Sequence, residues 1–523
     1  MLGITGWRQT TSAGGQVGVT RVFLDGRRIF LGGLSVFLVA ARSLDASAET
    51  IESALARAYA GNPTLNSTRA SVRATDENVP RAQSGYRPRV TGTADAGVQY
   101  TETHTPEITR TNRGGDITIS AGNTTISQGR VTTSPPSVNI SGPSVTRSQP
   151  RNDISRTTPY GAGLQVDQTL FNGFRTDNTV RQAESQVFGS RETLRNTEQT
   201  ILFNGAQAYM NVLRDTAILE LQRNNVEVLE EQLRQTRDRF NVGEVTRTDV
   251  AQAEARLAAS RSQVSLAESN LRTSIAVFRQ IIGVEPRQLA PGRPIDRLVP
   301  RSLDVAIGLG LAEHPAVTAA LHALDAAELQ VKITEGELYP TLGVTGAVTQ
   351  RYDTQTAGDA RFTASAVARL TVPIYEGGEV YARVRQAKET VGQRRIEVDI
   401  NREQIRAAVV SAWGTLEAAK AQIIAAQAQV QAAEIALTGV REEARVGQRT
   451  TLDVLNAQQE LLNARVNLIT AQRDRVVASY SVVQAIGRLS SRSLGLNIAQ
   501  YSPKTHYDQV KDLWFGVRTP DGR

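Results

Sequence analysis

The feature that most constrains this chain is an internal repeat with an offset of 204 residues. Residues 446–472 read VGQRTTLDVLNAQQELLNARVNLITAQ, in which a glycine turn precedes apolar residues at three- and four-residue steps, the period of one helical face. Residues 242–267 read VGEVTRTDVAQAEARLAASRSQVSLA and place Gly243 the same interval before Gly447. A turn and a helix that occur twice predict a fold built from two copies of one larger unit.

Both copies show the same order of predicted elements. Runs in which apolar and polar residues alternate predict strands with one apolar and one polar face. Stretches of about 65 residues without proline predict helices about 100 Å long. The first repeat, residues 49–285, is predicted to hold a helix, strands at 90–100 and 160–171, and helices at 175–240 and 246–283. The second repeat, residues 302–489, is predicted to hold a helix, strands at 341–352 and 361–374, and helices at 379–445 and 450–487.

Three further segments connect or follow the repeats. Residues 101–158 are rich in Ser, Thr, Gly, Asn and Pro, which predicts a long, mobile, solvent-facing loop. Residues 286–301 contain four prolines and form the predicted linker between the repeats. Residues 490–523 are predicted to be a polar C-terminal tail with little order.

The N-terminal segment has the pattern of an export signal. Arg27 and Arg28 precede an apolar run at residues 29–41, and Ala46-Ser47-Ala48 follows as a small-x-small site. We therefore predict a signal peptide over residues 1–48, and the arginine pair leaves a twin-arginine signal open. The chain contains no cysteine, which excludes a disulfide framework and an acylated N-terminal cysteine.

Composition argues against several other functions. The formal net charge is +7, but the arginines lie beside Glu and Gln in predicted helices, so we predict a solvated surface and no nucleic-acid binding. The four histidines share no ligand-like spacing with carboxylates, and no phosphate-binding or dinucleotide-binding motif is found. We therefore predict no metal and no cofactor.

The predicted strands suggest how the chain meets a membrane. After residue 48 no apolar run reaches the roughly 20 residues of a membrane-spanning helix, so a membrane-embedded form has to use strands. Each strand has about the length that crosses a bilayer when tilted, but four strands are too few to close a barrel. Three copies would supply twelve strands and close both the sheet and the helices by cyclic symmetry.

The doubled motifs give the chain a resemblance to a known family. The motifs are Phe/Tyr-x-Gly-Gly/Phe at residues 171–174 and 375–378, VGxxTxxDV at residues 242–250 and 446–454, and an Ile-Gly pair at the end of each repeat. In their order and constant spacing, over roughly residues 50–490, they resemble the TolC-type outer membrane efflux proteins.

The resemblance implies a fold and a set of partners. The expected fold is a mixed α/β membrane protein: a homotrimer whose twelve-stranded transmembrane β-barrel, with four strands per protomer, continues into a long periplasmic α-helical barrel. The expected function is a passive exit duct of a tripartite efflux or type I secretion system in the outer membrane of a Gram-negative cell. Expected partners are a periplasmic adaptor protein, an inner-membrane exporter of the RND or ABC kind, and outer membrane lipid.

The resemblance also assigns roles to residues of the doubled turns. The residues expected at the periplasmic gate are Asp453, Asp249, Thr248, Arg449 and Asn456. Asp453 would contribute one carboxylate per protomer to a ring at this entrance. The turns expected to dock an adaptor contain Val242, Gly243, Thr246, Val446, Gly447 and Thr450. The strand-to-helix turns contain Phe171, Gly173, Tyr375 and Gly377.

Simpler interpretations of these residues remain open. Thr246 with Asp249, and Thr450 with Asp453, have the form of a helix N-cap followed by an acid in the first turn. The chain also departs from the family pattern: relatives with a strong cation site carry a second acid where this chain has Asn456, and a gate tyrosine is replaced by Ala444. We therefore expect a weaker cation ring and a looser latch.

The long helices also allow a different class of function. An exported coiled-coil adhesin or scaffold without a channel would account for their length. It would leave the four alternating strands and their matched turns unexplained.

Overall fold

A computed structural model describes residues 48–106, 109–111, 117–140, 145–147 and 149–522. The predicted signal peptide lies outside the described residues, apart from Ala48. The first repeat contains α1 (Ile51–Gly61), α2 (Pro63–Asp76), α3 (Asn78–Gln83), β1 (Arg89–Ala96), β10 (Tyr160–Asn172), α4 (Arg175–Asn241) and α5 (Arg247–Ile282). Between β1 and β10 lie β2 (Gln99–Thr105), β3 (Thr109–Thr111), β4 (Ile117–Ser120), β5 (Thr124–Ser127), β6 (Arg130–Thr133), β7 (Ser137–Ile140), β8 (Val145–Arg147) and β9 (Arg151–Thr157). The second repeat contains α6 (Leu303–Glu313), α7 (Pro315–Glu335), β11 (Thr341–Tyr352), β12 (Ala360–Thr371), α8 (Glu379–Arg445) and α9 (Thr451–Ala485), and α10 (Pro503–Val510) follows.

The second helix of each repeat, α2 or α7, begins in the same way. Asn62 caps α2 by accepting hydrogen bonds from the backbone amides of Thr64 and Leu65. His314 caps α7, where its Nδ1 accepts from the amide of Ala316. A proline follows each cap at the first helical position, where its missing N–H leaves no helical hydrogen bond unmade.

The long helices form two antiparallel hairpins, α4 with α5 and α8 with α9. Their contact seams consist mainly of Leu, Val and Ala at helical spacing. Within the described residues, no helix is both long enough and apolar enough to cross a membrane.

The four long strands form one antiparallel sheet in the order β1, β10, β11, β12. The predicted strand at 90–100 is interrupted: β1 ends at Ala96 and β2 begins at Gln99. Pro159, beside the break, has no N–H to continue the ladder. The predicted strand at 361–374 is too long: β12 covers 360–371, and Pro373 follows it.

The segment at 101–158, expected to be a long, mobile, solvent-facing loop, contains paired strands. The described part of this segment pairs β2 with β9, β3 with β8, β4 with β7 and β5 with β6, all antiparallel. The result is a two-stranded ribbon that turns at Gln128 and Gly129, both with positive φ. Backbone hydrogen bonds between the paired strands supply this order, and the segment is rich in threonine and isoleucine, which are common in strands.

The main core lies where the short helices, the linker and the ends of the long helices meet. Tyr209 is fully buried there, and its hydroxyl lies 2.7 Å from the carbonyl oxygen of Glu49 and 2.6 Å from that of Ala290. Glu49 also pairs with the predicted linker through the amide of Ala290 and the carbonyl of Gln288. The proline-rich segment is therefore fixed to the start of the first repeat.

The expectation of a poorly ordered tail is wrong. Leu494 and Leu496 are buried in the main core. The helix α10 packs on α2, with Val510 buried and His506 Nδ1 at 3.0 Å from Asp76 Oδ2. Asp76 is fully buried, and desolvation raises the pKa of its carboxyl group.

Candidate functional site

The turns of the two helical hairpins have the same backbone geometry. Gly243 and Gly447 each have φ of 81°. This left-handed conformation favours glycine, because the Cβ of any other residue would be crowded against the backbone. In the first turn the amide of Gly243 donates to the carbonyl of Phe240, and that of Glu244 to the carbonyl of Arg239. The equivalent bonds close the second turn, so both helices end in the Schellman motif.

A capping box starts the return helix in each hairpin. The amide of Asp453 donates to Thr450 Oγ1 at 3.2 Å, while the amide and hydroxyl of Thr450 donate to Asp453 Oδ2 at 3.0 and 2.9 Å. Asp249 and Thr246 repeat this arrangement, with the hydroxyl of Thr246 2.7 Å from Asp249 Oδ2. The predicted N-caps therefore exist in both turns.

The capping bonds keep both aspartates ionised. Hydrogen bonds from the backbone and side chain of Thr450, with a smaller contribution from Arg449, lower the pKa of Asp453. The side chain and backbone of Thr246 do the same for the pKa of Asp249. Only one oxygen of each carboxylate is held by the cap, so the other oxygen is free of the capping box.

Within one protomer, the side chains predicted to form polar links at the gate do not all contact one another. Arg449 Nε pairs with Glu443 at 2.9 Å, inside its own hairpin. The groups that act on Asp249 are Thr246 and Arg239, which also lie in a single hairpin. A link from Arg449 to Thr248 or Asp249 is therefore not formed inside the described chain, and it stays a prediction for contacts between chains.

A link that sequence analysis missed joins the two hairpins. Arg256 Nη2 on α5 donates to Asn456 Oδ1 on α9 at 2.9 Å. Deeper in the same seam, Asn225 donates to Ser260 at 2.9 Å and lies 3.5 Å from Gln458. Leu455 of α9 packs into the apolar cluster of α4 and α5. Asn456 thus forms a hydrogen bond between the two hairpins.

The other predicted turn residues are presented to solvent. Val242 and Val446 are 73% and 72% exposed at equivalent places in the two turns. Ala444, the position of the expected latch tyrosine, packs instead against the apolar cluster between α8 and α9. Two exposed valines beside tight glycine turns form a matched pair of surfaces that another protein can contact.

The strand-to-helix turns are alike in backbone but different in surroundings. Gly173 and Gly377 have φ of 66° and 65°. A Cβ on Gly173 would lie 2.2 Å from the carbonyl oxygen of Gly336, whereas one on Gly377 would meet nothing within 4 Å. Phe171 packs edge-on against Phe174, with ring centroids 5.3 Å apart, while Tyr375 is exposed.

The four-stranded sheet has one apolar and one polar face. The apolar face carries residues paired across neighbouring strands, including Val90, Leu164, Val166, Val348, Ala364 and Leu370. On the polar face, Asp167 accepts hydrogen bonds from Gln165 and Thr345. Twelve residues of β11 rise about 40 Å, which spans the apolar band of about 25 Å even at a tilt of about 40°.

Exposed aromatic residues lie at both ends of these strands. At the helical end they are Tyr86, Phe174, Tyr339 and Tyr375. At the other end Tyr160 stacks on Tyr352, with ring centroids 4.9 Å apart. Two aromatic girdles around an apolar band are typical of transmembrane β-sheets.

Comparison with known proteins gives the class to which this architecture belongs. The family model described as "Outer membrane efflux protein" matches residues 54–284 and 306–488, which are the two repeats. The chain belongs to the outer membrane efflux protein family, and it is an outer membrane exit duct that extends into the periplasm.

Individual relatives agree with this assignment. The outer membrane efflux protein BepC of Brucella suis biovar 1 is 42% identical over 481 residues, which cover 91% of this chain and 94% of BepC. The alkaline protease secretion protein AprF of Pseudomonas aeruginosa is 26% identical over 384 residues, which cover 68% of this chain and 78% of AprF. The solved CmeC outer membrane channel of Campylobacter jejuni has a TM-score of 0.67 and 17% identity, and the match covers 88% of this chain and 89% of CmeC.

The predicted family, fold class, function and outer membrane location are confirmed by these matches. The relatives and the fold are those of channel proteins, which disfavours the adhesin or scaffold. The roles of individual turn residues stay predictions.

Proposed function

We propose that three copies of the chain form the complete duct. Each protomer contributes a sheet whose outer strands, β1 and β12, have no partner on one side within the described residues. Unpaired backbone groups are unfavourable in hydrocarbon, because no water can satisfy them. Pairing β12 of one copy with β1 of the next closes a twelve-stranded barrel, with the apolar face towards lipid and the polar face towards the lumen.

The duct works with two other proteins. A periplasmic adaptor docks on the exposed turns at Val242, Gly243, Val446 and Gly447, and an inner-membrane exporter of the RND or ABC kind supplies the energy. The duct catalyses no reaction. The observation that supports docking is the matched geometry of the two turns, one at the end of each helical hairpin.

The cargo is either small toxic molecules or secreted proteins. Relatives named for efflux and for protease secretion support one class each. A deletion strain would be tested for sensitivity to drugs, detergents and dyes, and for secretion of large proteins. We expect at least one defect, together with a heat-modifiable trimer in outer membrane fractions; a strain without a defect and a chain without a trimer would contradict the duct.

The gate carries the charge selectivity in this proposal. With three copies, Asp453 supplies a ring of ionised carboxylates at the entrance, and a narrow ring of negative charge favours cations. Because one carboxylate oxygen is used by the capping box, each aspartate presents only its second oxygen to a passing ion.

The matched pair Asp453→Asn and Asp249→Asn tests the ring. Asparagine removes the charge but keeps an oxygen that can accept the capping bonds. We expect single-channel recording to show a loss of cation preference for Asp453→Asn and a smaller change for Asp249→Asn. Unchanged selectivity in the Asp453 variant would remove that residue from the gate.

A further inference from the structure

We propose that residues 513–517, which read LWFGV, form a second membrane contact on the periplasmic leaflet of the outer membrane, beside the base of the barrel. We call these residues the aromatic tail. The inference rests on the proposed function, which puts the four-stranded sheet in the bilayer.

The aromatic tail exposes an unusual amount of apolar surface. Trp514 is 65% exposed, Phe515 is 90% exposed and Val517 is 99% exposed, and Leu513 beside them is also exposed. Single exposed apolar side chains are common in proteins, but a contiguous group of them marks a contact surface. Tryptophan and phenylalanine are the side chains that interfacial membrane segments use most.

Contacts on both sides fix the aromatic tail to the protein. It follows α10 directly, and the amide of Leu513 donates to the carbonyl of Val510, which is buried. Further along the chain, Asp521 pairs with Arg73 of α2 at 3.9 Å. The exposed aromatic residues therefore belong to a segment held at two points.

A third contact sets the position of the aromatic tail relative to the sheet. Arg87 Nη1 donates to the carbonyl oxygen of Leu513 at 2.7 Å, and its guanidinium lies 4.8 Å from the centre of the Trp514 ring. Arg87 is two residues before Arg89, the first residue of β1. Trp514 thus lies at the base of the strands, at the end where Tyr86 and Tyr339 are exposed.

The lipid expected here is zwitterionic. Arg73, Arg87, Lys511 and Arg518 lie in or around the segment, and Asp508, Asp512 and Asp521 offset all but one of their charges. Attraction to anionic headgroups would therefore be weak, and the contact depends on the apolar and aromatic side chains. Binding of this kind changes little with salt, because only the electrostatic part is screened.

Fluorescence can test the contact in the full-length chain. The sequence has three tryptophans. Trp7 lies in the predicted signal peptide, so the variant Trp413→Phe leaves Trp514 as the one tryptophan of the processed chain. The protein is reconstituted in phosphatidylcholine vesicles brominated either near the carboxyl end or near the methyl end of the acyl chains. An interfacial side chain should be quenched about twofold more by the shallow bromines than by the deep ones, in low and high salt alike.

A reporter in the barrel separates the two proposals. The control variant replaces Trp413 and Trp514 with phenylalanine and carries Leu164→Trp on the apolar face of β10. Quenching of this reporter without quenching of Trp514 would overturn the membrane contact and leave the barrel intact. Quenching of neither would contradict the embedded sheet as well.

Two further outcomes would assign the aromatic tail to a different occupant. If Trp514 is shielded from aqueous acrylamide but not quenched by bromolipid, another copy of the chain covers it and the inference is wrong. If only vesicles with anionic lipid quench it, and salt removes the effect, the contact is electrostatic and the zwitterionic surface is refuted.

Discussion

Two equivalent glycines share a backbone conformation but differ in how closely other atoms approach them, so replacing each with alanine compares a crowded site with an open one. Gly173 and Gly377 have nearly the same positive φ, and alanine in that conformation costs about 1–2 kcal/mol at either place. At Gly377 the new methyl group meets nothing within 4 Å. The Gly377→Ala variant should therefore lose only the conformational contribution.

The methyl group of Gly173→Ala would overlap fixed backbone. It would lie 2.2 Å from the carbonyl oxygen of Gly336 and 2.8 Å from the Cβ of Tyr339. Overpacking of this kind adds about 1–3 kcal/mol, so the total loss should be about 2–5 kcal/mol.

Thermal unfolding of the two purified variants, followed by scanning fluorimetry in one detergent, gives the comparison. We expect the midpoint of Gly173→Ala to fall clearly below that of Gly377→Ala, with fewer heat-modifiable trimers. Equal losses would refute the reasoning, because they would mean that a neighbouring chain crowds Gly377 as closely as Gly336 crowds Gly173.

Two further predictions concern the helix caps and the hairpin seam. Burial, aided by the nearby Arg195, lowers the pKa of His314 to about 4. Below pH 6.5 the unfolded chain therefore takes up a proton at this histidine that the folded chain does not. The free energy of unfolding should fall by up to about 3 kcal/mol as the pH drops towards 4. His314→Asn keeps a cap like that of Asn62, and it should flatten this dependence in thermal unfolding measured from neutral pH to pH 4. Asn456→Asp turns its bond with Arg256 into an exposed ion pair worth about 0.5 kcal/mol per protomer, so single-channel recording should show shorter openings. Adding Arg256→Gln to this variant should restore the original open times. If the openings stay short in the double variant, the new charge at residue 456 causes the change and the ion pair does not.

The sequence allowed the repeat and the long elements to be predicted because both are periodic signals. The four strands that form the sheet alternate apolar and polar residues, and the long helices have no proline to break them. The errors at strand ends arose at Pro159 and Pro373. Proline has no N–H to donate to a neighbouring strand, and its effect on a strand end can be predicted only when the paired residues are known.

The ribbon and the tail could not be predicted because neither relies on a periodic apolar face. The strands β2 and β9 are mostly exposed and rich in polar residues, so their composition resembles that of a loop. The tail is ordered by a few distant contacts, such as His506 with Asp76. The bond between Arg256 and Asn456 joins residues 200 positions apart, and no local pattern indicates it.

The ribbon has a consequence for how such a duct can change during evolution. Paired residues inserted between β1 and β10 lengthen a free-standing hairpin without shifting the register of the four-stranded sheet. The distal end of the protein can therefore vary in length and antigenic character while the wall of the duct stays the same. The turn at Gln128 and Gly129 is, for the same reason, a suitable place to insert an epitope that reports on the cell surface.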